Sequence, residues 1–536
     1  MTKTKTIAIV SYALAFLASC SDAGVAPAPP VSSEGGTGER DGAGAMETDA
    51  GPSADATPAP AAPLANDGDR FVVSYPAFLQ GTVSEYRLYS MRNAADPSRV
   101  MVDSAPPGKL TMADPYVYDG VHVYYRVYAV VAGTEHLVLS VDGVQPARTW
   151  SALPLTITAP GVYTGNWRSL DSSKPAVQIA ANVKGVIVEN ARVASMGNGI
   201  EVGPGAEVEV RGTRGWGLHP MKQDSSNGKF VSAGKPSSVV VEHSYAESWL
   251  FVVYVDGQLD GAQKKVAVRF NRMRNVQGRQ TNADGTYKPL RFTAGGVAHA
   301  VQLNGVSSCD SADIGWNEIS QEPSIGFSED IVNLYASSGT AAAPILVHDN
   351  VVYGGYATEP GKPAGPGGEG GGAYSGCGII SDGADPGGSE ALNGHSDISN
   401  NIVIGTTNCG IGIAGGSSVH VHANRMISAG VLEDGTVIWA NNVGGYLWKQ
   451  YVTSFHNNLI DNNYSGWIDA PGSRANSGST PTSNPFWFPD DGSNGSHGVY
   501  AEQSYAPTPI AVQAERDEYQ LFWKRARDMA ITVGLP

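Results

Sequence analysis

Positive charge is scarce in this chain of 536 residues. Lysine and arginine total 35 against 51 aspartate and glutamate residues, which gives a formal net charge of −16. A nucleic acid or an anionic membrane surface is usually met by a basic face. The composition therefore predicts no nucleic-acid partner. Charged residues make up only 16% of the chain, and its 66 glycines suit stacked strands joined by tight turns.

Apolar runs long enough to span a bilayer are also missing. The stretch from Ile7 to Phe16 is apolar but too short for a mature membrane helix. It leads into Leu17-Ala-Ser-Cys20, which resembles the lipobox of bacterial lipoproteins. The resemblance implies that Cys20 carries a lipid anchor, and Ser21 after it implies retention in the outer membrane. We therefore expect a cell-envelope lipoprotein that faces the periplasm or the cell surface.

Several enzyme motifs are absent as well. The sequence shows no phosphate-binding loop, no zinc-ligand spacing, no nucleophile elbow and no Asp-Pro-His-Glu motif of the mannuronan epimerases. Its glycine-rich stretches are therefore interpreted as turns.

Composition divides the chain into five parts. Tyrosine-rich strand patterns predict a small antiparallel domain, and Tyr519, Phe522, Trp523 and Ala526 predict a late amphipathic helix on the end or side of the fold. The predicted parts are a signal peptide with lipobox (1–20), a flexible Ala/Pro/Gly/Ser tether (21–68), a small β domain (69–147), a repeat region (152–470) and a C-terminal cap with a helix (471–536).

A strand-like pattern recurs through the repeat region: apolar, any, apolar, any, any, Asn, any, apolar. A pattern that returns once per coil predicts a solenoid. We expect the asparagines to lie at turns in the left-handed conformation and to bond one another in a ladder. They are Asn271, Asn317, Asn350, Asn401, Asn424 and Asn457, with Ala191, Thr213 and Ser244 as small residues in three earlier coils.

These repeats resemble the right-handed parallel β-helix of the pectate-lyase-like superfamily. The resemblance implies an all-β fold with a groove along the solenoid for an extended polysaccharide. We expect a monomer. Period-2 reading of the first strand of each coil places one polar stripe outward, with Tyr254, Gln302 and Asn333 as substrate-binding candidates beside Gln178 and Glu201.

Two long insertions suggest where chemistry takes place. They cover 277–291 and 354–395, and between them lies the coil that carries Glu329 and Asp330. Adjacent carboxylates at a strand mouth suit either general acid–base catalysis or Ca²⁺ binding. The alternative is that Glu329 and Asp330 have no functional role and form an ordinary solvent-exposed turn before a strand. Asp382 completes the expected groove.

A second resemblance concerns the reaction. Glu329-Asp330, then Ile345–Asn350, then Gly376-Cys-Gly-Ile-Ile is similar to the motif order of polygalacturonase-type hydrolases, with Cys377 where that family has histidine. A β-helix lyase would instead use a cationic residue as base and Ca²⁺ or arginine to neutralise the uronate. The resemblance makes Arg279 and His299 the candidates for that role.

The sequence leaves three questions open, which concern the activity, the pairing of two cysteines and the role of two histidines. The chain is either a lyase or hydrolase of an acidic polysaccharide, or a non-catalytic adhesin or carbohydrate-binding protein. Cys377 and Cys409 begin equivalent strands of neighbouring coils and are either bridged or reduced. His420 and His422 point outward on one strand and could bind a metal, but no third ligand is evident, which favours ordinary exposed histidines.

Overall fold

The computed structural model describes residues 63–94, 100–151, 153–257, 259, 264–288, 297–307, 309–357, 359–361, 375–383, 394–450, 455–489 and 503–536. The predicted signal peptide with Cys20, and the predicted tether up to residue 62, lie outside the described residues. Parts of both predicted insertions also lie outside them. In the described part of the chain, no helix has the length and hydropathy needed to cross a bilayer.

The N-terminal domain consists of two antiparallel sheets packed face to face. Phe71, Leu88, Met112 and Tyr125 are buried between them. Its first strand lies within the segment that the sequence predicts as tether. The strands are Leu64–Asn66, Phe71–Ser74 and Thr111–Asp114 in one sheet, and Val83–Met91, Val100–Ala105, His122–Val131 and Thr134–Val144 in the other.

The rest of the fold is a right-handed parallel β-helix of three long sheets. In each coil the chain passes through sheet 1, sheet 2 and sheet 3 in that order. Sheet 1 contains Leu155–Ile157, Val177–Ile179, Ile200–Val202, Lys229–Gly234, Phe251–Asp256, His299–Asn304, Val332–Tyr335, Ile379–Asp382, Cys409–Ile413, Val443–Leu447 and Phe486–Trp487.

Sheet 2 contains Gly161–Tyr163, Val186–Glu189, Glu207–Arg211, Ser238–Glu242, Lys265–Arg269, Ser311–Gly315, Ile345–His348, Gly394–Ser399, Ser417–His422 and Leu459–Asp461. Sheet 3 contains Asn166–Ser169, Arg192–Ser195, Arg214–Gly217, Tyr245–Glu247, Arg272–Arg274, Glu318–Ser320, Val351–Gly355, Ile402–Thr406, Arg425–Ser428, Tyr464–Asp469, Thr482–Ser483 and Ser504–Tyr505. The strands thus confirm the predicted fold class, and they continue past residue 470.

The interior is built from stacked aliphatic side chains. Val268, Ile314, Val347, Ile398 and Val421 occupy the same register position on successive strands of sheet 2, and all are fully buried. Burial of each such side chain contributes about 1.5–3 kcal/mol. The period-2 alternation that buries them also fixes which residues face outward.

An asparagine ladder runs between sheets 2 and 3. Each side-chain amide donates to the carboxamide oxygen of the next coil, as from Asn317 to Asn350 at 2.8 Å and from Asn350 to Asn401 at 2.9 Å. The ladder was predicted with two errors. The last member is Asn463 rather than Asn457, because Asn424 bonds Asn463 at 3.0 Å. The left-handed residue is the one before each asparagine, as at Trp316 with φ 57°.

Helix α1, Val512–Asp528, was predicted on the end or the side of the fold, and it lies along the side of the β-helix. It contacts the later strands of sheet 3 and buries Tyr519, Phe522 and Ala526 there. Earlier strands of sheet 3 are covered by the N-terminal domain, where Arg272 donates to the Val102 carbonyl at 3.0 Å and pairs with Glu318.

A disulfide joins Cys377 to Cys409 with their Cα atoms 4.4 Å apart. Cys409 begins the strand Cys409–Ile413, and Cys377 lies two residues before the strand Ile379–Asp382, in the position that the pairing of Ile379 with Ile411 aligns with Cys409. The bridged alternative is therefore the one found. Cys309 is a free, buried thiol.

Candidate functional site

The outer face of sheet 1 carries one continuous row of side chains. Strand register aligns Tyr254 with Gln302, and Gln302 with Asn333. This confirms the predicted alignment of the polar stripe. The row consists of Thr156, Gln178, Glu201, Ser232, Tyr254, Gln302, Asn333, Ile380, Gly412, Tyr446 and Trp487.

A second outward row runs beside it at the carboxyl ends of the same strands. It consists of Asp256, Asn304, Tyr335 and Asp382. The amide nitrogen of Asn304 donates to Asp256 at 2.5 Å and to the Tyr254 hydroxyl at 3.1 Å. The two rows are therefore tied together by hydrogen bonds into one polar surface.

Lys229 belongs to this surface and was missed from the sequence. Its ammonium lies 3.3 Å from the centroid of the Tyr254 ring and 5.2 Å from that of Phe251. Burial lowers the pKa of Lys229, and the nearby carboxylates of Glu201 and Asp256 oppose that effect. No other lysine or arginine occurs in the described strands of sheet 1.

The reason for the miss is a local break in alternation. Val231 and Ala233 face inward, so a period-2 reading also sends Lys229 inward. Phe230 instead enters the interior against Trp249, with 5.7 Å between ring centroids, and Lys229 remains half-buried at the surface. The signal that could have identified Lys229 is its position as a single positively charged residue at the start of a strand of this sheet.

The structure separates the roles of Glu329 and Asp330. Asp330 is only 5% exposed, and its carboxylate accepts hydrogen bonds from the Cys377 backbone nitrogen at 2.9 Å and from Asn333 at 3.3 Å. Glu329 is partly exposed and lies 3.5 Å from Nε2 of His299. Glu329 is therefore the member of the pair that a ligand on this face can reach. Asp330 instead holds the backbone at the start of the neighbouring strands in place through its hydrogen bonds.

His299 and Arg279 are held by different surroundings. His299 is buried beside Phe251, and its Nδ1 lies 3.1 Å from the Asp330 carbonyl oxygen. Arg279 donates to Gln277 at 2.9 Å, and its guanidinium lies 4.4 Å from the centroid of the Phe327 ring. The structure thus joins His299 directly to Glu329 and Asp330, while it packs Arg279 against the segment that precedes them.

Two buried acceptors at the centre of the row have no hydrogen-bond partner among the residues that the structure describes. They are Oε1 of Gln302 and Oδ1 of Asn333, on neighbouring strands, in side chains that are 6% and 3% exposed. A buried carbonyl without a donor costs about 1–3 kcal/mol. Such a cost is typical of sites that a ligand completes, and hydroxyl groups or a hard cation would supply what these oxygens lack.

An aromatic cleft continues the face toward the last coils. It has a volume of ≈ 530 Å³, and Tyr446, Trp448 and Trp487 form its apolar walls. Its polar lining consists of the amides Asn408, Asn442, Gln450 and Asn484. Flat aromatic rings beside amide donors and acceptors suit a sugar ring, which has apolar faces and a polar edge.

Comparisons with known proteins gave matches among solved structures only. No family model matches the chain, and no curated protein matches it. Among solved structures, pectate lyase PelI from Erwinia chrysanthemi in complex with tetragalacturonic acid is similar at 12% identity, with 54% of this chain and 83% of that chain covered and a TM-score of 0.14. Pectate lyase Pel3 from Pectobacterium carotovorum is similar at 12% identity, with 54% and 84% covered and a TM-score of 0.18. With identities of 12% and TM-scores below 0.2, these likenesses do not bear on the activity or the site residues of this chain.

Proposed function

We propose that the outer face of sheet 1 binds an extended acidic polysaccharide and that the chain cleaves it by β-elimination. The observation that carries the proposal is the in-register row that runs from Glu201 through Gln302 and Asn333 to the aromatic cleft at Trp487. Successive strands of a sheet lie about 4.8 Å apart. A linear ligand with repeated hydroxyl groups matches such a row.

Lys229 is the residue we assign as the base. Elimination begins when a base removes the proton from the carbon next to the uronate carboxylate. The electron pair released forms a carbon–carbon double bond as the glycosidic C–O bond breaks, and the departing oxygen takes a proton from water. A base must be unprotonated, and the lowered pKa of Lys229 enlarges its neutral fraction.

The substrate carboxylate also needs a positive charge beside it. Gln302, Asn333 and Asp382 each offer a side-chain oxygen, the kind of ligand that Ca²⁺ prefers, and no described residue bonds the amide oxygens of the first two. We assign a bound Ca²⁺ to these three residues. When bound, it would supply the charge that neutralises the uronate.

A non-catalytic binding protein is the second candidate. The aromatic cleft favours it, because Tyr446 and Trp487 can stack on a sugar without any acid or base beside them. Glycoside hydrolysis with Glu329 as the acid is the remaining enzymatic alternative, since Glu329 is exposed enough to reach a ligand and lies beside His299.

One screen separates these functions. The full chain is incubated with polygalacturonate, alginate, chondroitin and neutral glycans, and both the ultraviolet absorbance of unsaturated ends and the reducing sugar are followed. Elimination predicts both signals, on an acidic polymer only, and their loss with a chelator. Reducing sugar without absorbance would mean hydrolysis, and retention of polymer without either signal would mean binding alone.

The matched variants are Lys229→Met and Lys265→Met. A general base contributes about 10²–10⁴-fold to rate, so Lys229→Met should lower kcat by that factor while polymer binding persists. Lys265 is a lysine of sheet 2, on another face of the β-helix, and its substitution should leave kcat unchanged. An equal kcat in both variants would remove Lys229 from the mechanism.

The location of the protein is also a proposal. The lipobox motivates an anchor at Cys20 in the outer membrane, with the folded part facing the periplasm or the cell surface. Cys20→Ala should release the protein from the membrane fraction and abolish labelling with a fatty-acid analogue. An unlabelled wild-type protein would contradict this.

A further inference from the structure

We propose that Asp397, His420 and His422, on the outer face of sheet 2, form a binding site for a divalent transition-metal ion such as Zn²⁺. This face belongs to a different sheet from the polysaccharide face. The inference therefore does not depend on the function proposed above.

The site is created by strand register. His420 and His422 point outward from the strand Ser417–His422, and their rings stack with centroids 4.1 Å apart. Asp397 lies directly across from His420 on the neighbouring strand Gly394–Ser399. One ligand atom from each of the three residues lies within 4.8 Å of the others. The third ligand that the sequence did not reveal is thus an aspartate one coil earlier.

The ligand set matches the chemistry of a transition metal. Two imidazole nitrogens and one carboxylate oxygen suit Zn²⁺, Cu²⁺ or Ni²⁺, and they leave positions open for water. Bonds of about 2.0–2.2 Å would place ligand atoms ~3.4 Å apart in a tetrahedral site. All three side chains are partly exposed, so small side-chain rotations can close the remaining distance without disturbing the buried core.

A carboxylate also lies on the other side of the histidine pair. Asp461, on the strand of the next coil, lies with Oδ1 3.0 Å from Nε2 of His420. Carboxylates that bond a ligating imidazole fix its orientation and its tautomer, and their loss weakens metal binding by about 10–100-fold. Asp461 is therefore assigned as the residue that positions His420.

Another outward histidine of sheet 2 shows what a purely structural role looks like. His348 bonds Asp313 through Nε2 at 3.0 Å and Asp349 through Nδ1 at 2.9 Å, so both ring nitrogens already face carboxylates. Those hydrogen bonds raise the pKa of His348 to about 9. A protonated imidazole cannot ligate a metal. His348 lies on the strand next to that of Asp397 and two strands from the histidine pair, which makes it a matched control.

The test uses the untagged full chain, stripped of metal with a chelator and then dialysed. Titration calorimetry with ZnCl₂ should give one ion per chain. His420→Asn and His422→Asn should each weaken binding by about 100-fold or more, since even an outer-shell loss costs 10–100-fold. Asp461→Asn should weaken it by about tenfold, and His348→Asn should leave it unchanged.

A spectroscopic measurement on the wild-type protein requires no substitution. Electron paramagnetic resonance with CuCl₂ should show hyperfine coupling to two imidazole nitrogens. Thermal unfolding of each variant confirms that it is folded. Absence of Zn²⁺ and Cu²⁺ binding, coupling to fewer than two nitrogens, or Zn²⁺ affinity that is the same in His422→Asn as in the wild type would overturn the proposal.

Discussion

The carboxylate of Glu515 accepts a hydrogen bond from the backbone nitrogen of Ala429 at 2.6 Å, which ties helix α1 to the end of a sheet 3 strand. Burial raises the pKa of Glu515 to about 8, the Ala429 N–H opposes this, and the charge of Glu433 adds to it. The helix thus docks through an acid that the fold prefers to keep protonated.

This gives a prediction about pH. The ordinary pKa of Glu515 is 4.5, so between about pH 4.5 and 8 the folded state binds more protons than the unfolded state. Stability therefore falls as pH rises through that window. Glu515→Gln should raise the free energy of unfolding at pH 9, by up to about 5 kcal/mol, and change it little at pH 4.

Urea unfolding at pH 4, 7 and 9 measures this, with Glu518→Gln as the control. Glu518 lies on the same helix but pairs with Arg425 at 2.6 Å, so its substitution should destabilise at pH 7 and pH 9. Equal pH profiles for the wild type and Glu515→Gln would contradict the prediction.

The asparagine ladder should be costly to interrupt in its middle. Asn350 is fully buried and donates to the Ile314 carbonyl and to Asn401, while it accepts from Asn317. Asn350→Ala would leave these partners buried without bonds. Since each unsatisfied group costs about 1–3 kcal/mol, we expect a loss of at least about 3 kcal/mol.

Ser244→Ala is the matched control for the ladder. Ser244 occupies the same turn position near the start of the β-helix, where its hydroxyl bonds Glu242 and accepts from Thr213. Its loss should cost about 1 kcal/mol. Thermal unfolding midpoints compare the two variants, and an equal shift would mean that the ladder adds nothing in its middle.

The number of free thiols tests the disulfide between Cys377 and Cys409. In a protein that carries Cys20→Ala, unfolding in denaturant should expose one reactive thiol, that of Cys309, and reduction should add two more. The bridge closes 32 residues of sequence separation, which corresponds to about 3–4 kcal/mol of stability. Three thiols before reduction would exclude the disulfide.

Polysaccharide binding should depend on the aromatic cleft. Trp448 and Trp487 are 39% and 43% exposed and lie 5.6 Å apart between ring centroids. Replacement of either by alanine should weaken binding by about 1–2 kcal/mol, roughly tenfold. Affinity electrophoresis in polymer-containing gels measures this. Tyr124→Ala in the N-terminal domain is the control, and an equal retardation of all three variants would place the polymer elsewhere.

Residues that repeat once per coil were predictable from the sequence. The alternation around Gln302 and Asn333 gave both their outward direction and their alignment, because parallel pairing preserves register from coil to coil. The ladder from Asn271 to Asn424 followed for the same reason. Lys229 escaped because the alternation breaks at Phe230, and a local pattern cannot show which of two successive residues enters the core.

Contacts between coils of unequal length were harder to predict from the sequence. Asn401 and Asn424 are 23 residues apart, whereas Asn424 and Asn463 are 39 apart. The sequence alone does not reveal where that extra length is accommodated, and Asn457 was therefore taken for Asn463. The same irregular spacing concealed the proximity of Asp461 to the two histidines, whereas Asp397 lies 23 residues before His420, in the register that the repeat itself predicts.

The cover on sheet 3, formed by the N-terminal domain and helix α1, constrains the coils that lie beneath it. Gln520 of helix α1 bonds Tyr89 of the N-terminal domain at 3.3 Å, so the domain and the helix meet over the middle of the solenoid. One more coil there would move Arg425 by about 4.8 Å relative to Arg272, which the domain holds, and Glu518 would lose its partner. A bare solenoid gains or loses repeats freely. Here the cover constrains the number of coils between Arg272 and Arg425, because a coil added or removed there would break its contact with one of the two.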